Sequence, residues 1–411
     1  MEAEWTLMVY MAGYNNLSSA AGTDLKEMRK VGSTEKVKTC VFVKQHPEKV
    51  ARHIVVAKGG KNEKPEELGD KDSGSPQTVL DFVRWAREVA PAKRYALVLW
   101  NHGSGWEPQD FQAIYEQVRG EQPDDSFARE TDVRANQLIA RSVFTTTLEQ
   151  FVALDSEQRA ICSDDGSGHS LDTIELGRVL AAIRKDAGGP LDLLGMDACL
   201  MSNLEVAYQA RRHAGTIVGS EELEPNAGWP YDAILTELNK RPEMSGAELG
   251  TLVVDRYIAA YKSSDRDWPV TQCAVDTEEI KTFATAMDAL SRALRDQARK
   301  DYRPIQQAQA RAVRFQMQLR DLKSFCAALS RTQADAPLKQ AAKAVADALK
   351  PGGYVLREGH LGPKVQDCGG VTAYFPGPGE PISPYYKSLR FAVDHGWDEF
   401  LRGYAAAVRG D

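Results

Sequence analysis

The chain has 411 residues, 43% of them hydrophobic, and a formal net charge of −7. This length allows a large buried core and indicates two domains, or one domain with a substantial extension. The negative charge argues against nucleic acid as the main partner, because phosphate binding needs clustered cations, and no apolar run reaches the roughly 18 residues that a membrane helix requires.

Apolar runs and amphipathic stretches alternate along the first 220 or so residues, which predicts strands and helices in turn. We expect strands at about 5–11, 38–44, 52–57, 95–100, 191–196 and 215–219, and helices at about 18–30, 76–89, 173–184 and 202–212. This order is typical of a doubly wound α/β fold, with a mostly parallel sheet flanked by helices. We interpret the strand at 52–57 as a hairpin partner.

Helical stretches dominate after about residue 240. We expect helices at about 246–263, 277–297, 304–330 and 336–349, a final helix from about 395, and apolar runs at 271–275 and 370–375 that add strands to the main sheet. The sequence thus predicts a core over 1–240, with an insertion at about 107–160, and an α-rich C-terminal α/β extension over 241–411 that packs on the core.

Two predicted strands end in residues that are capable of chemistry. His102 follows the strand at 95–100, and Cys199 follows the strand at 191–196. Because neighbouring parallel strands present their carboxyl ends at one edge of a sheet, we expect the imidazole and the thiol to lie close together. A histidine beside a cysteine is the smallest set of residues that supports nucleophilic catalysis by a thiolate.

The surroundings of Cys199 favour a reactive thiol. The Ser-x-x-Glu spacing of Ser202 and Glu205 predicts a capped helix start directly after Cys199, and a helix N-terminus stabilises a thiolate. The N–H groups of Gly103 and Cys199 are the expected oxyanion donors. The other cysteines are interpreted as buried, inert thiols: Cys40, Cys162, Cys273, Cys326 and Cys368.

These residues lie in sequence blocks that resemble the clostripain-like cysteine peptidases, family C11 of clan CD. The blocks occur in order over nearly the whole chain, at 5–17, 100–106, 196–201, 219–231, 372–376 and 397–401. The resemblance implies a caspase-like fold and a cysteine endopeptidase with a dyad of His102 and Cys199. It further implies cleavage after a basic residue, usually Arg and sometimes Lys.

In such proteins the acidic residue just before the cysteine lies in the specificity pocket, which makes Asp197 the expected partner of the substrate's cation. A carboxylate can bind a guanidinium through two parallel hydrogen bonds. The alternative is a strand-end aspartate that accepts hydrogen bonds from backbone N–H groups. Further candidate acids are Glu221, Glu224 and Asp232. Asn101 stands where many family members have an aspartate.

Members of this family often activate themselves by cleavage between the histidine and the cysteine. Candidate sites in this chain are Arg119, Arg129, Arg134 and Arg141, which could equally be solvated side chains. The sequence requires no cofactor. The turn at 164–168 could bind calcium, but it lacks the ligand spacing of an EF-hand and is better interpreted as solvated. No zinc-ligand spacing is present, so we predict no metal centre.

The chain starts close to a strand, without an apolar signal segment, and its six cysteines lack CxxC spacing. We therefore expect a cytoplasmic protein, or a secreted one if a signal segment has been removed. A peptidase in its own cytosol needs control, so we hypothesise activation by self-cleavage or by a small-molecule or protein activator, in a bacterial defence or cell-suicide role. Two alternatives stay open: a non-catalytic sensor or scaffold, and a clan CD peptidase or transpeptidase of different specificity, such as for Asn.

Overall fold

The computed structural model describes residues 2–15, 17–101, 103, 106, 171–264, 269–316 and 318–410. The strands are β1 Ala3–Gly13, β2 Val37–Gln45, β3 Ala51–Val55, β4 Glu66–Gly69, β5 Ala92–Trp100, β6 Leu191–Asp197, β7 Ala214–Gly219, β8 Val270–Asp276, β9 Leu319–Asp321, β10 Val355–Leu361 and β11 Thr372–Tyr374. The α-helices are α1 Ser18–Val31, α2 Pro76–Val89, α3 Thr173–Ala187, α4 Leu204–Ala210, α5 Tyr231–Lys240, α6 Gly246–Lys262, α7 Ile280–Lys300, α8 Arg303–Arg311, α9 Leu322–Ser330, α10 Ala336–Ala348, α11 Arg390–Asp394 and α12 Trp397–Arg409. No helix of this part of the chain is both long enough and apolar enough to span a membrane.

Nine of these strands form one sheet, in the order β10-β8-β7-β6-β5-β1-β2-β3-β4. The five central strands, β7, β6, β5, β1 and β2, are parallel, and antiparallel strands complete both edges. The predicted α/β class and mostly parallel sheet are therefore confirmed. The predicted hairpin partner, β3, indeed pairs with β2 in antiparallel orientation.

Both faces of the sheet are buried, and the alternation of β1 shows how. Trp5, Leu7 and Val9 belong to a core cluster shared with α1, α5 and α6. Met8 and Tyr10 belong to the opposite cluster, which includes side chains of α2, α3, α4 and α7. Because side chains alternate along a strand, a strand with helices on both faces becomes a continuous apolar run.

The C-terminal region differs from the sequence prediction in two ways. The expected single helix at 304–330 is wrong, because the chain breaks into α8, β9 and α9. The break contains Gln318 in the left-handed region, with φ of 58°. The strand expected at 370–375 does form, as β11, but it pairs with β9 in a separate two-stranded sheet instead of joining the main sheet.

The predicted extension after residue 240 is continuous with the core sheet. Its strand β8 pairs with β7, and β10 pairs with β8 in turn. The division at residue 240 stays a prediction, and the predicted insertion at 107–160 lies outside the described residues.

Candidate active site

Strands β5 and β6 are parallel neighbours whose last residues pair, Trp100 with Asp197. Gly103 follows β5 by three positions, and Cys199 follows β6 by two. The segments after both strands thus leave the sheet at one edge, as expected for a site of an open α/β sheet. His102 itself lies outside the described residues.

The backbone at Gly103 comes unusually close to the backbone of Cys199. A Cβ placed on Gly103 would lie 2.1 Å from the carbonyl oxygen of Cys199 and 3.0 Å from its nitrogen. No side chain can be accommodated at such distances, so position 103 requires glycine. The two expected oxyanion donors therefore belong to backbone segments that touch.

The Cys199 thiol is covered by the segment that follows β7. Its side chain is only 2% exposed, and Sγ accepts a hydrogen bond from the Glu224 N–H at 3.2 Å. The Glu224 carbonyl oxygen lies 3.9 Å from the same sulfur. In this arrangement the thiol contacts the backbone of Glu224.

The loop between β6 and α4 has a different helix start from the one that the sequence predicts. Asn203, not Ser202, caps α4, and its side-chain oxygen accepts the N–H of Val206 at 2.9 Å. The predicted capping box is wrong, because the Glu205 carboxylate accepts the Tyr374 N–H and the Tyr386 hydroxyl instead of the Ser202 N–H. Four residues separate Cys199 from the helix, so α4 does not begin directly after the cysteine.

Asp197 is completely buried at the end of β6. One carboxylate oxygen accepts the Tyr231 hydroxyl at 2.8 Å and the Trp229 N–H at 3.5 Å. The Trp229 ring lies over β6 at Gly195, where a Cβ would come within 2.7 Å of it. The carboxylate therefore accepts a backbone N–H, as the alternative interpretation of a strand-end aspartate expects. Asp197 precedes Cys199 by two residues.

The other three candidate acids have different surroundings. Glu224 is buried beside Cys199, and its carboxylate accepts the side-chain amide of Gln272 at 3.0 Å. Glu221 is buried too, but its carboxylate accepts the Gly370 N–H at 3.0 Å. Asp232 forms a surface ion pair with Lys30 of α1 at 2.6 Å. Of the three, Glu224 hydrogen-bonds to Cys199, through its backbone N–H.

Asn101 connects two strand ends. Its side-chain amide donates to the Ala12 carbonyl oxygen at 2.7 Å, and its oxygen accepts the Asn15 amide at 3.0 Å. Position 101 therefore anchors the end of β5 to the end of β1. Four cysteines predicted to be inert are free and buried: Cys40, Cys273, Cys326 and Cys368.

Several predicted residues lie outside the described ranges. They are Cys162, the candidate cleavage sites Arg119, Arg129, Arg134 and Arg141, and the possible calcium turn at 164–168. Their predicted roles stay predictions.

One residue that supports this site has no signal in the sequence. Thr271 of β8 places its hydroxyl oxygen 2.9 Å from the Glu221 N–H and 3.0 Å from the Glu222 N–H. It also contacts the Ser220 hydroxyl at 2.9 Å. A threonine within a strand, some 50 residues further along the chain, looks like an ordinary strand residue until the sheet is assembled.

Comparison with known proteins decides the family. The sequence pattern of the clostripain family of C11 peptidases matches residues 9–126 and 151–401, which is most of the chain. The chain belongs to the clostripain family. Clostripain from Hathewaya histolytica is 25% identical over 265 residues, which cover 57% of this chain and 42% of that protein. The chain thus spans less than half the length of this curated relative.

Solved structures of C11 proteases share the fold of this clostripain-family chain. A secreted C11 cysteine protease from Bacteroides thetaiotaomicron, in complex with an irreversible peptide inhibitor, superposes with a TM-score of 0.65 and 18% identity, covering 97% of this chain and 100% of that one. An inactive zymogen C11 protease from Parabacteroides distasonis gives a TM-score of 0.63 and 18% identity, covering 96% and 99%. These likenesses confirm the expected caspase-like protease fold.

Proposed function

We propose that this protein is a cysteine endopeptidase that cleaves after Arg or Lys through a dyad of Cys199 and His102. The observation that carries the proposal is the meeting of the segments after β5 and β6, where the Gly103 backbone touches the Cys199 backbone. Membership of the clostripain family supports it.

In the proposed reaction the Cys199 thiolate attacks the carbonyl carbon of the scissile bond, and the oxyanion is held by the N–H groups of Gly103 and Cys199. His102 protonates the leaving amine. Water then hydrolyses the acyl-enzyme, which regenerates the thiol. Only a glycine at 103 lets the backbone segments that carry the two N–H donors come this close, which is consistent with an oxyanion site at this contact.

Asp197 is the proposed partner of the substrate's cation. Its carboxylate is buried, so a guanidinium that reached it would meet little competition from water. Tyr231 holds one carboxylate oxygen at 2.8 Å and would fix the orientation of the acid. Glu224 is the second acid that we propose for the pocket, because its backbone lies against the thiol.

We propose that activity requires a structural change, by self-cleavage or by an activator. Support comes from the burial of the two groups that substrate must reach: Cys199 is 2% exposed and Asp197 is 0% exposed. One C11 relative of the same fold is described as an inactive zymogen. The residues proposed for self-cleavage are Arg119, Arg129, Arg134 and Arg141.

The relatives bear on where the enzyme works. The Bacteroides thetaiotaomicron protease is described as secreted, which fits the exported alternative better than the predicted cytoplasmic location. We therefore propose an exported enzyme. The defence or cell-suicide role stays a prediction from the sequence.

The test is hydrolysis of fluorogenic peptides with Arg, Lys, Asn or Asp before the cleaved bond, with intact mass recorded before and after incubation. We expect turnover of Arg and Lys substrates by the wild type, and by Cys40→Ala, which removes a buried thiol of β2. We expect no turnover by Cys199→Ala. Equal turnover by Cys199→Ala would exclude this thiol as the nucleophile.

The same panel tests specificity. Asp197→Asn should weaken hydrolysis of Arg substrates by on the order of a hundredfold, mainly through KM, because the lost charge pair is buried. Turnover of Asn substrates alone would instead support the alternative specificity. A wild type that acts on no substrate, even after trypsin has cut the interval between His102 and Cys199, would support a non-catalytic sensor.

A further inference from the structure

The segment 220–224, here called the cover segment, sets the position of the Cys199 loop. Leu200 donates its N–H to the Glu222 carbonyl oxygen at 3.3 Å, and Ser202 donates its N–H to the Ser220 carbonyl oxygen at 2.8 Å. Leu200 is held in the left-handed region, with φ of 61°, a conformation that a leucine rarely adopts. The catalytic loop therefore depends on where the cover segment lies.

Glu221 connects the cover segment to the C-terminal part of the chain. Its side chain is 0% exposed, and its Oε2 accepts the Gly370 N–H at 3.0 Å. The second anchor is Asp321, also 0% exposed, whose two oxygens accept the N–H groups of Ser324 at 2.6 Å and Gly369 at 2.8 Å. A carboxylate oxygen of Glu221, a carboxylate oxygen of Asp321 and the sulfur of Cys368 all lie within 4.8 Å of one another.

The Gly370 region also holds the catalytic loop directly. Ser202 donates its hydroxyl to the Gly370 carbonyl oxygen at 2.5 Å, and its backbone carbonyl oxygen accepts the Thr372 N–H at 3.0 Å. Gly370 has φ of 87°, and a Cβ there would lie 2.6 Å from the Cys273 sulfur. Gly370 therefore hydrogen-bonds both to the cover segment, through Glu221, and to the loop that carries Cys199, through Ser202.

The two carboxyl groups are close together, and the basic side chains near them in the described part of the chain have other partners. The acids and thiols that face the pair or lie beside it are Cys273, Cys368, Glu222 and Glu358. Two of the nearby bases form ion pairs with these acids, Lys364 with Glu222 and His360 with Glu358. The third, Lys323, donates to the Cys368 carbonyl oxygen. Burial raises the pKa of Glu221 well above its usual range, and the neighbouring Asp321 raises it further. Burial likewise raises the pKa of Asp321 and of both thiols.

Hydrogen bonding indicates which oxygen holds a proton. Both oxygens of Asp321 and Oε2 of Glu221 accept backbone N–H groups, whereas Oε1 of Glu221 is buried without a partner. A protonated Oε1 that donates to Asp321 would satisfy that atom. Two buried carboxyl groups this close cannot both be charged without a large cost.

We propose that Glu221 and Asp321 share one proton, and that this acid pair is a positioning element that holds the cover segment, and through it the Cys199 loop, against residues 369–372. The proton resides on Oε1 of Glu221. At high pH the pair loses it, the two carboxylates repel each other, and the loop shifts. The effect on catalysis rests on the proposed peptidase function, whereas the shared proton does not.

The decisive variant is Glu221→Gln, whose amide donates to Asp321 at all pH values and keeps the side-chain volume. The infrared difference spectrum of wild type minus Glu221→Gln at one pH should contain the carbonyl band of a protonated carboxylic acid, because other protonated carboxyl groups such as Glu205 contribute equally to both proteins and cancel. The difference spectrum of wild type minus Glu222→Gln, a change of the same charge one position along, should lack that band. A wild type minus Glu221→Gln spectrum without the band would overturn the proposal.

The pH–rate profile gives a second readout. Wild type and Glu222→Gln should lose kcat at alkaline pH, while Glu221→Gln should keep it. Glu221→Ala, which removes the donor, should lower kcat by on the order of tenfold to a hundredfold at neutral pH, with little change in KM. An unchanged alkaline limb in Glu221→Gln would contradict the positioning role, and a divalent cation bound stoichiometrically by the wild type but not by Glu221→Gln would contradict the shared proton. If no variant turns over any peptide, the proposed function fails while the infrared spectra still decide the pair.

Discussion

A single glycine shows how tightly the chemistry is constrained at the residue scale. Gly103 has no room for a Cβ, because the Cys199 carbonyl oxygen occupies the place where it would lie. The sequence indicated this position through the His-Gly pair after β5. The close backbone contact became visible only when β5 and β6 were placed side by side.

We expect Gly103→Ala to lower kcat by on the order of a hundredfold, because a methyl group must push the two oxyanion donors apart. Peptide hydrolysis by the purified variant measures this loss. Gly403→Ala is the matched control: nothing lies within 4 Å of its Cβ, and alanine in the middle of α12 should raise stability by about 0.5–1 kcal/mol without a change in rate. Full activity of Gly103→Ala would argue against oxyanion binding at this contact.

Other site residues could not be predicted because they come from distant parts of the chain. Cys199 and Asp197 stand at the end of an apolar strand, a local signal that the sequence carries. Thr271 meets the cover segment only in the folded chain, and Asp321, which also caps α9 locally through the Ser324 N–H, comes close to Glu221 only there. The hydrogen bonds that fix the thiol therefore belong to the fold more than to any local motif.

At the scale of single elements, prediction succeeded where both faces of a strand are buried. β5 and β6 are apolar runs, and their positions were predicted to within a few residues. The edge strands β4 and β10 were missed, because their side chains are largely exposed or half-buried and their sequences are mixed. An edge strand is defined by its pairing partner, which periodicity does not reveal.

Helix α4 offers a test of buried charge. Its Glu205 is completely enclosed, and one of its oxygens accepts the Tyr374 N–H at 3.0 Å and the Tyr386 hydroxyl at 2.9 Å. Burial raises its pKa to about 7 from an ordinary 4.5. The folded state then binds the proton more tightly than the unfolded state, so stability is highest below about pH 4.5 and falls as pH rises to about 7.

We therefore expect wild type to lose about 3 kcal/mol of unfolding free energy between pH 4.5 and pH 8 through this group, and Glu205→Gln to lose correspondingly less. Urea unfolding at a series of pH values measures the difference. Glu278→Gln, which removes an exposed carboxyl, should follow the wild-type curve. Identical pH dependence in wild type and Glu205→Gln would show that Glu205 is ionised in the folded state.

At the scale of the whole molecule, the main question is whether the chain folds as one unit. The sequence suggested a boundary near residue 240, because helical stretches dominate from there on. In the structure, β8 and β10 extend the same sheet, and α6 shares a core cluster with β1 and β6. A sheet and a core that continue across a boundary favour cooperative unfolding.

Leu249→Ala tests this cooperativity. Leu249 lies in α6, 1% exposed, in the core cluster that also contains Trp5 of β1 and Leu193 of β6. Truncation of a buried leucine costs about 2–5 kcal/mol. If the sheet unfolds as one unit, the slowest-exchanging amides of β1, β6 and β8 should all lose protection by that same amount in hydrogen exchange. Lys262→Ala, at an exposed position of the same helix, should leave all three strands within about 0.5 kcal/mol of wild type. Loss of protection in β8 with none in β1 would mean that the extension unfolds by itself, and the boundary near residue 240 would then divide two independent folding units.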